Sequence, residues 1–461
     1  MNTILLKQMN SKYFLWTLAI IINMLLLPSC LDSSEAREVE YSADAQIYTF
    51  SISSKSDTSN ILNSTIFTID QVNGKIFNKE LLPYKFHIDS VTINLRGSST
   101  YSSLNNVTLS VSGSEDVVWS QSDSVGINNL YRITTTAPDG KTTKKYDFQL
   151  NVHDKDPYIL SWEKISDGYY ITPNITDQTT VSYNNRFITY FIANEAMGAV
   201  SSSSNDGANW TTANISGLPP NVLLSSLNAS EDALYILDET NRVFNSTDGF
   251  TWSMTDTDFP IIANYGILPS DNNEKSLVII DDNNTYKFAQ TDDFSDFSFM
   301  EIESNTNISE FPVRDFSSIS INSSTSHAIK YIIIAGGLKA DNTANNYIWI
   351  IQERNGKISD LKSKKMGVSS LTESTLFFYD NNTYLLTNSS GTNSLYYSDN
   401  FGLEWKSAGE NQSLPTEMEF RKKASVITDN NNNIWIFGGV SGTQTQLDDV
   451  WRGKLNKFAQ D

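Results

Sequence analysis

Cysteine is nearly absent. One residue in 461, Cys30, carries a thiol, so no disulfide can form within the chain. Only three histidines occur, His87, His153 and His327, and none has a second ligand at metal spacing, so neither a metal nor any other cofactor is expected. A His-assisted nucleophile is equally poorly supplied, because His327 is the one histidine of the C-terminal two thirds and sits in the polar stretch Ser323-Ser-Thr-Ser-His327. Positive charge is scarce: 33 basic residues face 53 acidic ones, a net charge of −20. Such a surface repels phosphate backbones, which argues against nucleic acid as a partner. Long helical periodicity is missing too. What is present is Ser, Thr and Asn in abundance, 11% aromatics, and short apolar runs broken by Gly and Pro. That pattern predicts an all-β chain rather than a disordered stalk.

The N-terminus has three parts: a flank with Lys7 and Lys12, an apolar stretch from Phe14 to Leu27, and Leu27-Pro28-Ser29-Cys30. The stretch is shorter than the roughly 20 residues a membrane span needs, and matches the apolar core of a secretory signal. Its end resembles the lipobox of bacterial lipoproteins, with Leu at −3, a small residue at −1 and then Cys. The resemblance implies that residues 1–29 are a cleaved signal peptide and that Cys30 is the lipid anchor, placing the protein in the cell envelope. The outer membrane is the expected address, with periplasmic and surface-exposed orientations both open. Residues 1–29 hold two of the basic residues and no acid, so the remainder carries 31 against 53, a net charge of −22. Residues 30–39 read as an acidic tether.

Residues 40–153 show period-two alternation in Ala45–Ser53, Val91–Leu95, Val107–Val111 and Tyr146–Val152, with an Asp139-Gly140 turn before the last run. About seven short strands in this length predict an immunoglobulin-like β-sandwich. The Asp154-Lys-Asp-Pro157 stretch reads as a boundary.

From residue 155 to 461 the chain repeats itself. Ser204-Asn-Asp206-Gly207-Ala-Asn-Trp210 and Ser246-Thr-Asp248-Gly249-Phe-Thr-Trp252 share the pattern S-x-D-G-x-x-W. Ser398-Asp-Asn400-Phe-Gly402-Leu-Glu-Trp405 is a form one residue longer. These stretches resemble the Asp-box of sialidase-like propellers, which implies structural turns rather than catalysis. Tyr331–Gly337 and Ile434–Gly439, apolar strands ending in Gly-Gly, resemble the kelch repeat. Trp162, Trp210, Trp252, Phe299 and Trp405 are spaced by 48, 42, 47 and 106 residues, the last gap being two units. A 40–50-residue unit of four strands is a propeller blade. Six blades are expected, with seven the alternative, and the strand at 158–165 is expected to close the last blade.

The whole layout resembles a family of Bacteroidota lipoproteins of unknown function with an immunoglobulin-like domain and a kelch- or Asp-box-type propeller. Phe67–Phe77 and Leu82-Pro-Tyr84 carry that likeness in the first domain. The resemblance implies no activity. A sialidase needs three arginines, a Tyr–Glu pair and an Asp acid, and no such set is identifiable. Two arginines, Arg314 and Arg421, fall at matching positions of the repeat, where they are candidates for an anionic ligand or for salt bridges within an acidic chain. The polar runs Asp281–Asn284 and Asp429–Asn433 read as turns rather than calcium loops. The expected function is a binding or scaffolding module, with glycans as the expected ligand class. A sialidase-like glycoside hydrolase and a structural or adhesion protein with a protein partner are the alternatives.

Overall fold

A computed structural model describes residue 16 and residues 40–459, apart from 98–102, 170–173, 203–205, 269–274, 323–329, 355–356, 364–370 and 390. The expectations for the signal peptide, Cys30, the 30–39 tether and Ser204 fall outside the described residues, as does His327. The chain is all-β and divides into two compact units, Met1–Asp154 and Lys155–Asp461.

The first unit stacks two sheets. One has three strands, Ile47–Ser53, Val91–Gly97 and Ser124–Val125. The other has six, ordered in space as Phe67–Asp70, Lys75–Asn78, Thr143–Gln149, Leu130–Thr136, Asn106–Val111 and Val117–Val118. Alternate residues of both sheets point into one core, among them Ile47, Ile52, Ile93, Leu109, Ile133 and Phe148, as period-two patterning requires. The larger sheet is mixed, because Lys75–Asn78 runs parallel to Thr143–Gln149. That pair departs from the antiparallel sandwich expected from the alternation alone. The buried Tyr146 ties the unit together: its hydroxyl accepts from the Ile47 N–H at 3.0 Å and donates to Gln71 Oε1 at 2.7 Å.

The second unit contains, among the described residues, six groups of four antiparallel strands. Four groups follow the chain without a break: 175–213, 222–254, 261–302 and 314–363, followed by a fifth at 375–407. The sixth joins Ser425–Thr428, Ile434–Val440 and Gln446–Leu455 to Leu160–Ser166, which lies outermost and pairs antiparallel with Gln446–Leu455. The inner strands of successive sheets touch one another, and the inner strand of the sixth touches that of the first. The third and fourth sheets also meet at their outer edges, where Glu301 and Ile302 pair in parallel with Lys357 and Ile358. Each sheet buries both faces between its neighbours, so its middle strands read as nearly unbroken apolar runs. Ile332, Ile333 and Ile334 are all fully buried.

The tight turns between the two outer strands of a sheet lock it to the one before. In Ser246–Trp252, the Asp248 carboxylate accepts the N–H groups of Phe250 and Thr251, both at 2.7 Å, while the Ser246 hydroxyl accepts that of Gly249 at 2.9 Å. These bonds, the Thr251 N–H foremost, hold the Asp248 carboxyl down to about 2. Gly249 has φ +83°, and a Cβ there would meet Ile188 Cδ1 of the first sheet at 2.6 Å, so only glycine fits. Its carbonyl accepts from the Tyr190 hydroxyl at 2.7 Å, and Trp252 packs edge-on to the same Tyr190. Asp206 and Gly207 dock in the same way on Trp435 and Val450 of the sixth sheet, with Trp210 Nε1 donating to the Gly207 carbonyl at 2.8 Å. Ser398, Asn400 and Gly402 repeat the turn against Ile333 and Ile350 of the fourth, and Trp405 Nε1 donates to the Gly402 carbonyl at 2.9 Å.

Candidate functional site at the inner strands

The inner strands surround a cavity of about 260 Å3, lined by residues of the first, second, fourth, fifth and sixth sheets. Hydroxyl residues recur in its wall, among them Thr179, Ser225, Ser318 and Ser425, beside apolar Leu227, Ile319 and Leu376. Four charged residues stand at the entry to inner strands: Asp177 in the first sheet, Asp315 in the fourth, Glu373 in the fifth and Lys423 in the sixth. Three of them hold left-handed backbone, Asp315 at φ +53°, Glu373 at +70° and Lys423 at +51°. A non-glycine residue in that region costs about 1 kcal/mol or more, and the surrounding contacts must enforce it.

The contacts that do so are identifiable. Lys423 donates its N–H to the Glu373 carbonyl at 3.1 Å, and its Nζ lies 3.3 Å from Asp315 Oδ1. The adjacent Lys422 pairs with Glu373 at 2.9 Å. In every case a hydroxyl residue follows two positions on: Thr179, Ser317, Thr375 and Ser425. Three of these hydroxyls bridge neighbouring sheets. Ser317 Oγ accepts from the Leu376 N–H at 2.9 Å, Ser425 Oγ accepts from the Thr180 N–H at 2.8 Å, and Thr375 Oγ1 donates to the Ala424 carbonyl at 2.8 Å. Asp177 differs from its three counterparts. It is partly buried and, among the described residues, has no ion-pair partner; its Oδ1 accepts only the next N–H, that of Gln178, at 3.0 Å. Burial pushes its carboxyl up, Lys423 acts against that rise, and Asp315 adds to it.

The expected pairing of Arg314 with Arg421 at one ligand needs correction. Arg421 is 1% exposed, and its guanidinium grips both Asp449 oxygens at 2.8 and 3.0 Å while donating to the Gly438 carbonyl at 3.0 Å. No face of it remains for a ligand. In the structure the two arginines sit one residue out of register with each other. Gly337 packs on the Arg314 carbonyl and Phe316, and Gly439 packs on the Lys422 carbonyl and Ala424. The structural match of Arg314 is therefore Lys422, and the match of Asp315 is Lys423. In a strand, a slip of one residue exchanges the two faces, which is why Arg421 points into the protein. Arg314 is exposed and has no ion-pair partner among the described residues.

Asp429 is committed to its own turn, accepting from the N–H groups of Asn431 and Asn433 and from Trp435 Nε1. Among the described residues no group of three His, Cys, Asp or Glu side chains is arranged to hold a metal ion. No helix there is long and apolar enough to cross a membrane. The charged cavity residues escaped the sequence reading, although a charged residue followed two positions later by Ser or Thr, at the start of four inner strands, was the available signal.

Three solved structures illustrate the likeness to known proteins. YjhT is 10% identical, with 61% of this chain and 95% of that chain covered and a TM-score of 0.40. YCF48 bound to D1 peptide is 13% identical over 66% of this chain and 98% of that one, with a TM-score of 0.33. Trypanosoma rangeli sialidase is 11% identical over 65% and 60%, with a TM-score of 0.39. At these values the likeness carries no activity across. No curated protein matches the chain. Residues 42–150 match the DUF6242 N-terminal domain, a domain of unknown function, and residues 156–461 match the DUF6242 beta propeller domain, so the chain belongs to the DUF6242 family.

Proposed function

We propose that the protein is a lipid-anchored binding module of the cell envelope, whose propeller offers the inner-strand cavity to a small polar ligand of the carbohydrate type. One observation carries this reading: a recess of about 260 Å3, lined by residues of five sheets, whose wall includes several hydroxyl residues and four charged ones. Ligand sites combine a preformed concavity with a few placed polar groups, and a polyol is recognised by such groups in number. The matching turns at Asp206, Asp248 and Asn400 are of Asp-box type and supply rigidity, and the Gly-Gly strand ends are of kelch type. The anchor is Cys30, behind a signal peptide of residues 1–29 and a tether of residues 30–39.

The hydrolase alternative asks for an arginine cluster at the recess. The lining instead carries one lysine and three carboxylates, and Arg421 is held by Asp449, so binding is the better reading. A glycan array probed with the full chain in detergent tests it, beside an Asp315→Ala/Lys423→Ala double variant of unchanged melting temperature. Binding that disappears in the variant supports the site. A blank array at micromolar protein removes it and leaves the structural or adhesive role. Loss of lipid labelling in Cys30→Ala tests the anchor, and persistent labelling overturns it.

A further inference from the structure

Taking the inner-strand cavity as the ligand site proposed above, we infer that it selects a ligand bearing an ammonium group, an amino sugar, with Asp177 as the counter-ion. Three observations converge. First, the fixed charges of the lining pair off unequally. Asp315 is engaged by Lys423, and Glu373 by Lys422, which leaves Asp177 as the carboxylate without a cation in ion-pair contact among the described residues. A partly buried carboxylate is disfavoured until a cation or a proton reaches it, and a ligand ammonium supplies the cation.

Second, the other lining groups suit the rest of such a ligand. Ser225 and Ser318 offer hydroxyls to a sugar ring, while the Thr179 and Ser425 hydroxyls contact each other beside them. The volume of about 260 Å3 lies just under the roughly 300–1,000 Å3 of ordinary ligand pockets, the scale of a single ring rather than of a peptide segment. Third, the net charge of −20 draws cations toward the surface and repels acidic sugars. The acidic glycan expected from an Arg314–Arg421 pair is thereby replaced by its opposite in charge.

The other charged residues that line the cavity with Asp177 are Asp315, Glu373 and Lys423, one from each of three other sheets. Proton uptake by Asp177 removes the attraction and leaves Lys423 to repel the ammonium. Binding is therefore strongest above the raised carboxyl titration of Asp177 and below the pH at which the ligand amine loses its proton, and it fades as the pH falls through the Asp177 titration.

The test is calorimetric titration of the full chain in detergent with a glucosamine tetramer and with its fully N-acetylated counterpart, which has the same ring and no charge. The expected result is preference for the free amine, a loss of about 30-fold or more in Asp177→Asn, and weakening in the wild-type protein as the pH falls. The acid weakening needs no variant, so a folding defect in Asp177→Asn leaves the inference testable. Equal binding of both tetramers, abolished in Asp315→Ala/Lys423→Ala, overturns amine selection and leaves the cavity as the ligand site. Amine preference that survives in a folded Asp177→Asn overturns the role of Asp177. Failure of both tetramers to bind removes both the site and the selection.

Discussion

Arg421 shows how one residue's register decides its chemistry. Its neighbours Lys422 and Lys423 both stand in ion pairs near the cavity, at Glu373 and Asp315, yet the Arg421 side chain points into the protein and is fully buried against Asp449. Trp451 Nε1 donates to the same Asp449 at 2.6 Å, and Arg421 Nε reaches the Glu419 carbonyl. Arg421→Ala strands the Asp449 charge and is expected to cost about 3–5 kcal/mol of stability in urea unfolding. Arg421→Lys is expected to restore only part of it, since an ammonium cannot grip both oxygens. Asp248 supplies the pH counterpart. Its folded carboxyl sits at about 2, below the ordinary 3.8, so the stability it adds is complete above the ordinary value. That stability is lost as the pH falls through about 2. Asp248→Asn is therefore expected to lower the melting temperature at neutral pH, and the gap to the wild-type protein should close as the pH falls through about 2.

Among elements, the turn that docks on the preceding sheet is the recurrent device. Gly249→Ala places a methyl group 2.6 Å from Ile188 Cδ1 with the backbone at φ +83°. The strain and the displaced isoleucine together are expected to cost about 1–3 kcal/mol, read as a lower urea midpoint with an unchanged m-value. These turns were legible in the sequence because their chemistry is local: Ser, Asp and Gly bond within a handful of residues, and the pattern repeats whole. The all-β class was legible from period-two alternation, and the propeller from the repeat spacing. The cavity was not. Its residues come from five sheets, and what matters about them, such as the left-handed turn of Lys423 or the missing partner of Asp177, is set by contacts between segments more than a hundred residues apart. The parallel pair in the first unit was hidden for a similar reason. Alternation in Lys75–Asn78 reports which face is buried and is silent on strand direction.

For the whole molecule, each of the two units owns its core. The apolar cluster of the first unit, from Ile47 to Phe148, takes no residue from beyond 154. Residues 40–153 expressed alone are therefore expected to fold, with a cooperative thermal transition and dispersed amide resonances; a molten spectrum would show that the cluster does not suffice.

Leu160–Ser166 finds its partner almost three hundred residues later, in Gln446–Leu455, and this long wait governs how the second unit comes into being. During synthesis Leu160 and Trp162 emerge early and have no strand to pair with until Gln446–Leu455 is made. The first five sheets can form in order as they appear, each docking on its predecessor, but the ring stays open. Closing it brings together segments at the two ends of the unit, the kind of distant contact that slows folding. The chain therefore passes most of its birth as an unclosed arc, and becomes a ring only when its final strand arrives.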